Sequence, residues 1–309
     1  KTAYKHGDKI RTYRDLVKRM DRISSGLLHH LKPSEDHAAI VASNSIEYME
    51  IVLGASQAGI PVATVNPKLS DKEIKAICDD AEAKILFVDK ASYITLENIV
   101  FSTVEKIVVI ENELEDWIIN SKPATEAPIV MEWDVFTMPY TSGTTGNPKG
   151  VMLTNWNTLS NILCVQSAFK VYVGDKNAAF LPWAHSFGST FDLHWMIRMG
   201  VHINLISDLT KIADECIEIK PAALLAVPRV WNKFYDRVNS QFESATGLKK
   251  LFVGKAQKSA EKRIAKADVQ CDSVTPNGFF DKLWDKLVWA KVRARFGGNI
   301  RFCMSGAAA

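Results

Sequence analysis

Tyr140-Thr141-Ser142-Gly143-Thr144-Thr145-Gly146-Asn147-Pro148-Lys149-Gly150 decides how this 309-residue chain is read. The run holds four aliphatic hydroxyls, three glycines and one lysine. Hydroxyls and backbone N–H groups donate to phosphate oxygens, glycine lets the backbone approach closely, and lysine adds a point charge. A Gly/Ser/Thr cluster is also what a plain turn or flexible linker is made of. Here Val135-Phe136-Thr137-Met138 and Val151-Met152-Leu153 flank it and read as short apolar strands, which places the loop inside a folded core. The phosphate loop of ATPases needs Gly-Lys followed by Ser or Thr, and Pro148-Lys149-Gly150 is not that pattern. Pro139 removes a ladder donor just before the loop, so an edge or a bend is expected there.

The same run resembles the phosphate-binding loop of the adenylate-forming enzymes: acyl-CoA synthetases, luciferases and peptide-synthetase adenylation domains. Every position from Thr141 to Gly150 matches. Two further segments resemble that family in its own order. Leu181-Pro182-Trp183-Ala184-His185-Ser186-Phe187-Gly188 resembles its Pro-x-x-His-x-x-Gly segment. A histidine beside aromatics is otherwise most often a packed core residue. Val227-Pro228-Arg229-Val230-Trp231-Asn232-Lys233 looks like the Val-Pro-Arg-x-x-x-Lys segment of the long-chain fatty acyl-CoA synthetase branch, although Arg229 reads equally well as a surface salt-bridge residue. Finally, Ile300–Ala308 resembles the strand and small-residue turn that border adenine.

The resemblance implies an α/β adenylate-forming large domain. Its expected parts are two sheet-and-helix subdomains, residues 1–135 and 136–309. It implies ATP, Mg²⁺, coenzyme A and a fatty acid as ligands. Ser142, Gly143, Thr144, Thr145, Gly146 and Lys149 would hold the phosphates, Thr141 would reach Mg²⁺, and Gly306, Ala307 and Ala308 would border the adenine. His185 would orient the substrate carboxylate. Lys149, His185 and Thr141 are the implied catalytic set. The family's Tyr-Gly-x-Thr-Glu segment, ribose-binding Asp and small C-terminal domain with its lysine are missing, so the chain is expected to be an incomplete enzyme, inactive alone. An aryl- or amino-acid-adenylating enzyme, and a nucleotide- or acyl-binding module without turnover, are the competing readings.

Composition agrees with a globular enzyme: 47% apolar, 24% charged and a net charge of +3. The five cysteines (78, 164, 216, 271, 303) are scattered without metal-ligand or CxxC spacing, which suits a reducing compartment. No run approaches the roughly 20 apolar residues of a membrane span, and no signal peptide is evident, so a cytoplasmic protein, free or peripheral on a membrane, is expected. Residues 231–301 hold fifteen Lys/Arg against seven Asp/Glu, a balance of +8. Solvated helix faces explain that excess; an anionic membrane surface or the phosphates of coenzyme A would also fit it. The region has no nucleic-acid reader motif, and no feature specifies an oligomeric state. Trp183, Phe187, Phe191, Trp195 and Met196 are candidates either for an acyl pocket or for ordinary core.

Strands alternate with helices along the first half, which predicts βαβ units and a largely parallel sheet. Thr12–Asp15 and Ser70–Glu73 read as capping-box helix starts. The acidic, then Pro-containing stretch 111–131 reads as a surface connection.

Overall fold

The computed structural model describes residues 1–121, 128–141, 148–206, 208–270, 276 and 278–307. Two compact units emerge, Lys1–Ser207 and Asp208–Ala309.

In the first unit, β3 (His37–Val41), β4 (Val62–Val65), β5 (Ala83–Val88), β6 (Lys106–Val109) and β7 (Val135–Thr141) lie in the order β6-β5-β3-β4-β7. Every pairing along that path is parallel. The sequence anticipates this: runs such as Val62-Ala63-Thr64-Val65 are apolar or small throughout, as strands covered on both faces must be. Helices α1 (Tyr13–Leu28), α2 (Ile46–Gln57), α3 (Asp71–Asp80), α4 (Lys90–Leu96) and α5 (Ile110–Asn120) connect or cover them. Both expected capping boxes form, Thr12 with Asp15 and Ser70 with Glu73. Ala39, Val41, Ala63, Val65, Ile77, Leu86 and Val88 make the core between sheet and helices.

A second sheet in this unit pairs β1 (Thr2–His6) with β2 (Lys9–Thr12) antiparallel and with β11 (His202–Leu205) parallel; β10 (Lys176–Ala179) flanks β11. Helices α6 (Asn155–Ala168) and α7 (Met196–Arg198) also belong to the first unit. In the other unit, β12 (Ala223–Ala226) pairs parallel with β13 (Phe302–Ser305), and helices α8 (Ile212–Ile219), α9 (Pro228–Glu243), α10 (Gly247–Gln270) and α11 (Phe279–Trp284) accompany them.

Three expectations are corrected. Residues 111–131 are not simply a connection, because Ile110–Asn120 is the helix α5, with Ile110, Leu114, Trp117 and Ile118 buried. Those four fall at i, i+4, i+7 and i+8, one helical face, and their burial outweighs the acidic surface side. Pro139 is neither at an edge nor at a bend. It stands opposite Thr64 inside the β4–β7 ladder, and its carbonyl accepts from Val151 N–H at 3.0 Å. On that side β9 (Leu153–Thr154) pairs with Val135 and Thr137, and β8 (Lys149–Gly150) with Tyr140 and Thr141. The proline falls between the two short partners, where no ladder donor is required. Val151 and Met152, expected in one strand with Leu153, lie between β8 and β9 and are exposed.

Candidate active site

The quoted stretch closes on itself at its base. Thr141, the last residue of β7, pairs directly opposite Lys149, and Tyr140 pairs opposite Gly150. Two residues singled out in the sequence are thereby neighbours, both exposed. The base is held by packing as well as by the ladder. A Cβ on Gly150 would lie 2.9 Å from the Tyr140 ring, so only glycine lets that ring lie across the strand. The Tyr140 hydroxyl donates to Asp80 Oδ2 at the end of α3, at 2.8 Å. Partial burial, and then the Asp80 carboxylate, push that phenol above its ordinary range. Ser142, Gly143, Thr144, Thr145 and Gly146 lie outside the described residues.

The histidine segment is built in a different way. Trp183 is fully buried and meets the Tyr48 ring at 5.8 Å between centroids. His185 is exposed; its N–H donates to Pro182 O at 3.2 Å, and its carbonyl accepts from Ser189 N–H at 2.9 Å. It therefore stands at the mouth of the helix that follows, whose stretch Gly188–Trp195 is wound as a π-helix. Gly188 is packed under the Pro182 carbonyl with no room for a side chain. The glycine that closes the Pro-x-x-His-x-x-Gly pattern thus has a steric reason.

Two residues that the sequence reading missed grip this segment. Asn44 follows β3; its Nδ2 donates to Leu181 O at 2.7 Å, and its Oδ1 accepts from Trp183 N–H at 2.9 Å. Asp192, 1% exposed, accepts from Asn177 Nδ2 at 2.7 Å and from Leu181 N–H at 3.3 Å. Burial pushes the Asp192 carboxyl up to about 7, against the pull of those donors. A lone acid inside the apolar run Phe191-Asp192-Leu193 was the available signal for Asp192. Asn44, one polar residue after a buried strand, gave no such signal.

The topology brings the two halves together. β3 and β7 run parallel with only β4 between them, so their carboxyl ends face the same way, about 10 Å apart at normal strand spacing. Thr141 ends β7, and the His185 segment is bound through Asn44 to the residues following β3. Ligands of open parallel sheets bind at such carboxyl ends. A second tie joins the halves: Phe136 of β7 meets His194 of the π-helix edge-on, with centroids 5.0 Å apart. His194 is buried, its Nδ1 lies 2.7 Å from Ser189 O, and burial lowers its pKa to about 4. Trp183, Trp195 and Met196 are fully buried core residues, whereas Phe187 and Phe191 are half-buried and stack edge-on.

In the second unit, Gly306 and Ala307 follow β13, and Ala307 has a left-handed backbone, φ 56. Ala308 lies outside the described residues. Trp231 Nε1 donates to Ala226 O and Met304 O, tying α9 to the ends of β12 and β13. Arg229 is exposed in the first turn of α9, which opens with Pro228 at a position where a missing N–H costs nothing.

Comparison with known proteins supplies an independent line. The family described as "AMP-binding enzyme" matches residues 1–309. The chain is 25% identical to long chain acyl-CoA synthetase 6, peroxisomal, of Arabidopsis thaliana, over 96% of this chain and 44% of that protein. It is 27% identical to long-chain-fatty-acid–CoA ligase 1 of Homo sapiens, over 96% of this chain and 45% of that one. The chain thus spans less than half the length of these curated relatives. Among solved structures, the N-terminal domain of FACL13 from Mycobacterium tuberculosis superposes with a TM-score of 0.68 at 22% identity, covering 75% of this chain and 60% of that one. An anthranilate CoA ligase, AuaEII, in complex with anthranoyl-AMP gives 0.69 at 21% identity, covering 75% of this chain and 46% of that one. At these identities the structural likeness speaks to the fold.

Proposed function

This chain belongs to the AMP-binding enzyme family, and from that premise we propose that its protein is an ATP-dependent fatty acid–CoA ligase acting through an acyl-adenylate. The carrying observation is the pairing of Thr141 with Lys149 at the carboxyl end of the parallel sheet. The same sheet end receives the segment bearing His185.

In the proposed reaction a carboxylate oxygen attacks the α-phosphorus of ATP and pyrophosphate leaves. The thiol of coenzyme A then attacks the acyl carbonyl and AMP leaves. Joining two anions makes charge neutralisation and positioning the main tasks of the first step. Lys149, standing exposed where the loop closes, supplies positive charge to the β- and γ-phosphates, and the hydroxyl and backbone N–H groups of Ser142, Gly143, Thr144, Thr145 and Gly146 are assigned as neutral donors to the same oxygens. His185, at the mouth of its helix, donates to the carboxylate and holds it in line. Mg²⁺ takes oxygen ligands and keeps several from phosphate and water, so the exposed Thr141 hydroxyl beside Lys149 suits it as a protein contact. When bound, the ion neutralises phosphate charge. Gly306, Ala307 and Ala308 are assigned to the adenine edge.

Fatty acids, rather than aryl or amino acids, are supported by the Val227–Lys233 segment and by the names of the relatives. The chain alone is proposed to lack turnover, because the resemblance assigns further ATP contacts to segments it does not contain. The location proposed is the cytosol, free or peripheral on a membrane. No helix among the described residues is long and apolar enough to cross one. The basic excess in 231–301, with Leu248, Phe279 and Phe280 exposed, supports contact with an anionic bilayer. Unchanged sedimentation with phosphatidylglycerol vesicles would remove that part.

The experiment is ATP–pyrophosphate exchange by the full-length protein across fatty, aryl and amino acids. Exchange with long-chain fatty acids is expected. Exchange confined to aryl or amino acids would keep the family and overturn the substrate. None with any acid would leave a binding module.

A further inference from the structure

We infer that Asn44 is a positioning residue for adenylation, holding His185 in register with the phosphate loop. The inference rests on the ligase reading above and adds a residue to it.

A carboxamide offers a donor and an acceptor side by side, and Asn44 uses both on one three-residue stretch: Nδ2 to Leu181 O and Oδ1 to Trp183 N–H. This imitates a strand partner, and neither Asp nor Ala can reproduce it. The two bonds join points 137 and 139 residues apart in sequence, so local structure does not impose them. They tie the histidine segment to the end of β3, in the sheet whose strand β7 ends at Thr141. Behind the segment, Asp192 takes Leu181 N–H, so the backbone at Leu181 is gripped at both its N–H and its carbonyl. Trp183, locked in the core against Tyr48, leaves that stretch little freedom to move as a unit. From Trp183 the chain needs only two residues to reach His185, whose N–H is already fixed on Pro182 O.

Fixing a reacting group from an adjacent rigid element is how geometry is converted into rate, and a small misplacement is costly. The substrate carboxylate must meet both His185 and ATP held by the loop. Asn44 spans the structure that sets their relative position. It lies outside the segments assigned to phosphate and carboxylate, so its effect passes through His185.

The test is a double-mutant cycle in the full-length protein, with Asn44→Ala, His185→Ala and the pair. Acyl-AMP formation and thioester formation from supplied acyl-AMP are measured separately, with urea unfolding in parallel. Asn44→Ala is expected to lower acyl-AMP formation by about tenfold or more. It should spare the thioester step more, and add little in the His185→Ala background. Multiplying effects, or equal losses in both half-reactions, would make Asn44 merely structural and overturn the inference. Asn44→Asp, which keeps the acceptor for Trp183 and loses the donor to Leu181, serves if the alanine variant does not fold. Failure of both to fold overturns the positioning role. If the wild-type protein shows no acid-dependent exchange, the ligase reading itself falls and takes the inference with it. Normal wild-type exchange with an unaffected Asn44→Ala defeats the inference alone.

Discussion

The backbone carbonyl of Pro182 fills the space that a Cβ on Gly188 would need, closer than 3.0 Å, a distance such atoms essentially never adopt. The same carbonyl accepts the N–H of His185. One oxygen therefore ties the entry of the histidine segment to the start of the π-wound helix.

Gly188→Ala must push either Pro182 or the helix away. We expect a loss of about 1–3 kcal/mol in urea unfolding, the range for forcing extra volume into a packed site. Adenylation by the full-length protein should fall more than this loss of stability explains. Unchanged stability and activity would show that the contact relaxes freely.

The base of the loop offers a second test. Gly150→Ala places a methyl against the Tyr140 ring and should weaken ATP binding by disturbing the Thr141–Lys149 pair. Tyr140→Phe removes only the bond to Asp80 and should cost about 0.5–1.5 kcal/mol of stability, with a smaller effect on ATP. Titration calorimetry of both full-length variants decides it; equal ATP affinity in Gly150→Ala and wild type contradicts the account.

How much of this was legible in advance follows from where the signals lie. Helix caps such as Ser70–Glu73 and the apolar strands announced themselves, because the pattern and the physics are local. Thr141, Lys149 and His185 were legible as residues by resemblance, but their placement was not. The register that sets Thr141 against Lys149 depends on β8, two residues long, and the tie from Asn44 to Leu181 spans most of the first unit. The α5 helix is hard to read from sequence because its acidic surface residues, Glu111, Glu113, Glu115 and Asp116, are interleaved with the four residues of its buried face. Asp192 is the reverse case: a charge in an apolar stretch, whose partners Asn177 and Leu181 come from an earlier strand and the turn after it.

Asp192 and His194 should give stability two opposed dependences on pH. Burial raises Asp192 from 3.8 to about 7, so its contribution is fully present below the unfolded value and is lost as pH rises through about 7. Burial lowers His194 from 6.5 to about 4, so its contribution is present above 6.5 and is lost as pH falls through about 4. Each slope is at most about 1.4 kcal/mol per pH unit. Asp192→Asn orphans one donor at every pH. Relative to wild type, however, it should gain stability steadily from pH 4 to pH 7. A constant difference between the two unfolding curves would contradict this.

A buried ion-pair network anchors α2 against α1. Glu50 is fully buried; its Oε1 accepts from Arg11 Nε at 3.2 Å and its Oε2 from Arg19 Nε at 2.5 Å, while Arg19 also pairs with Glu115 of α5. Burial raises the Glu50 carboxyl despite the two guanidinium groups. Glu50→Ala leaves part-buried guanidinium charge without its central partner and should cost about 3–5 kcal/mol. A loss under 1 kcal/mol in urea unfolding would mean that water enters and solvates the site.

The central claim is that Lys149, closed against Thr141, stabilises the phosphates during attack by a fatty carboxylate. It is tested most directly by fatty-acid-dependent pyrophosphate release from the full-length protein, wild type against Lys149→Ala. The account predicts release by the wild type and a loss of more than about tenfold in the variant, with the unfolding midpoint unchanged. Wild-type rates from a folded Lys149→Ala protein would contradict it.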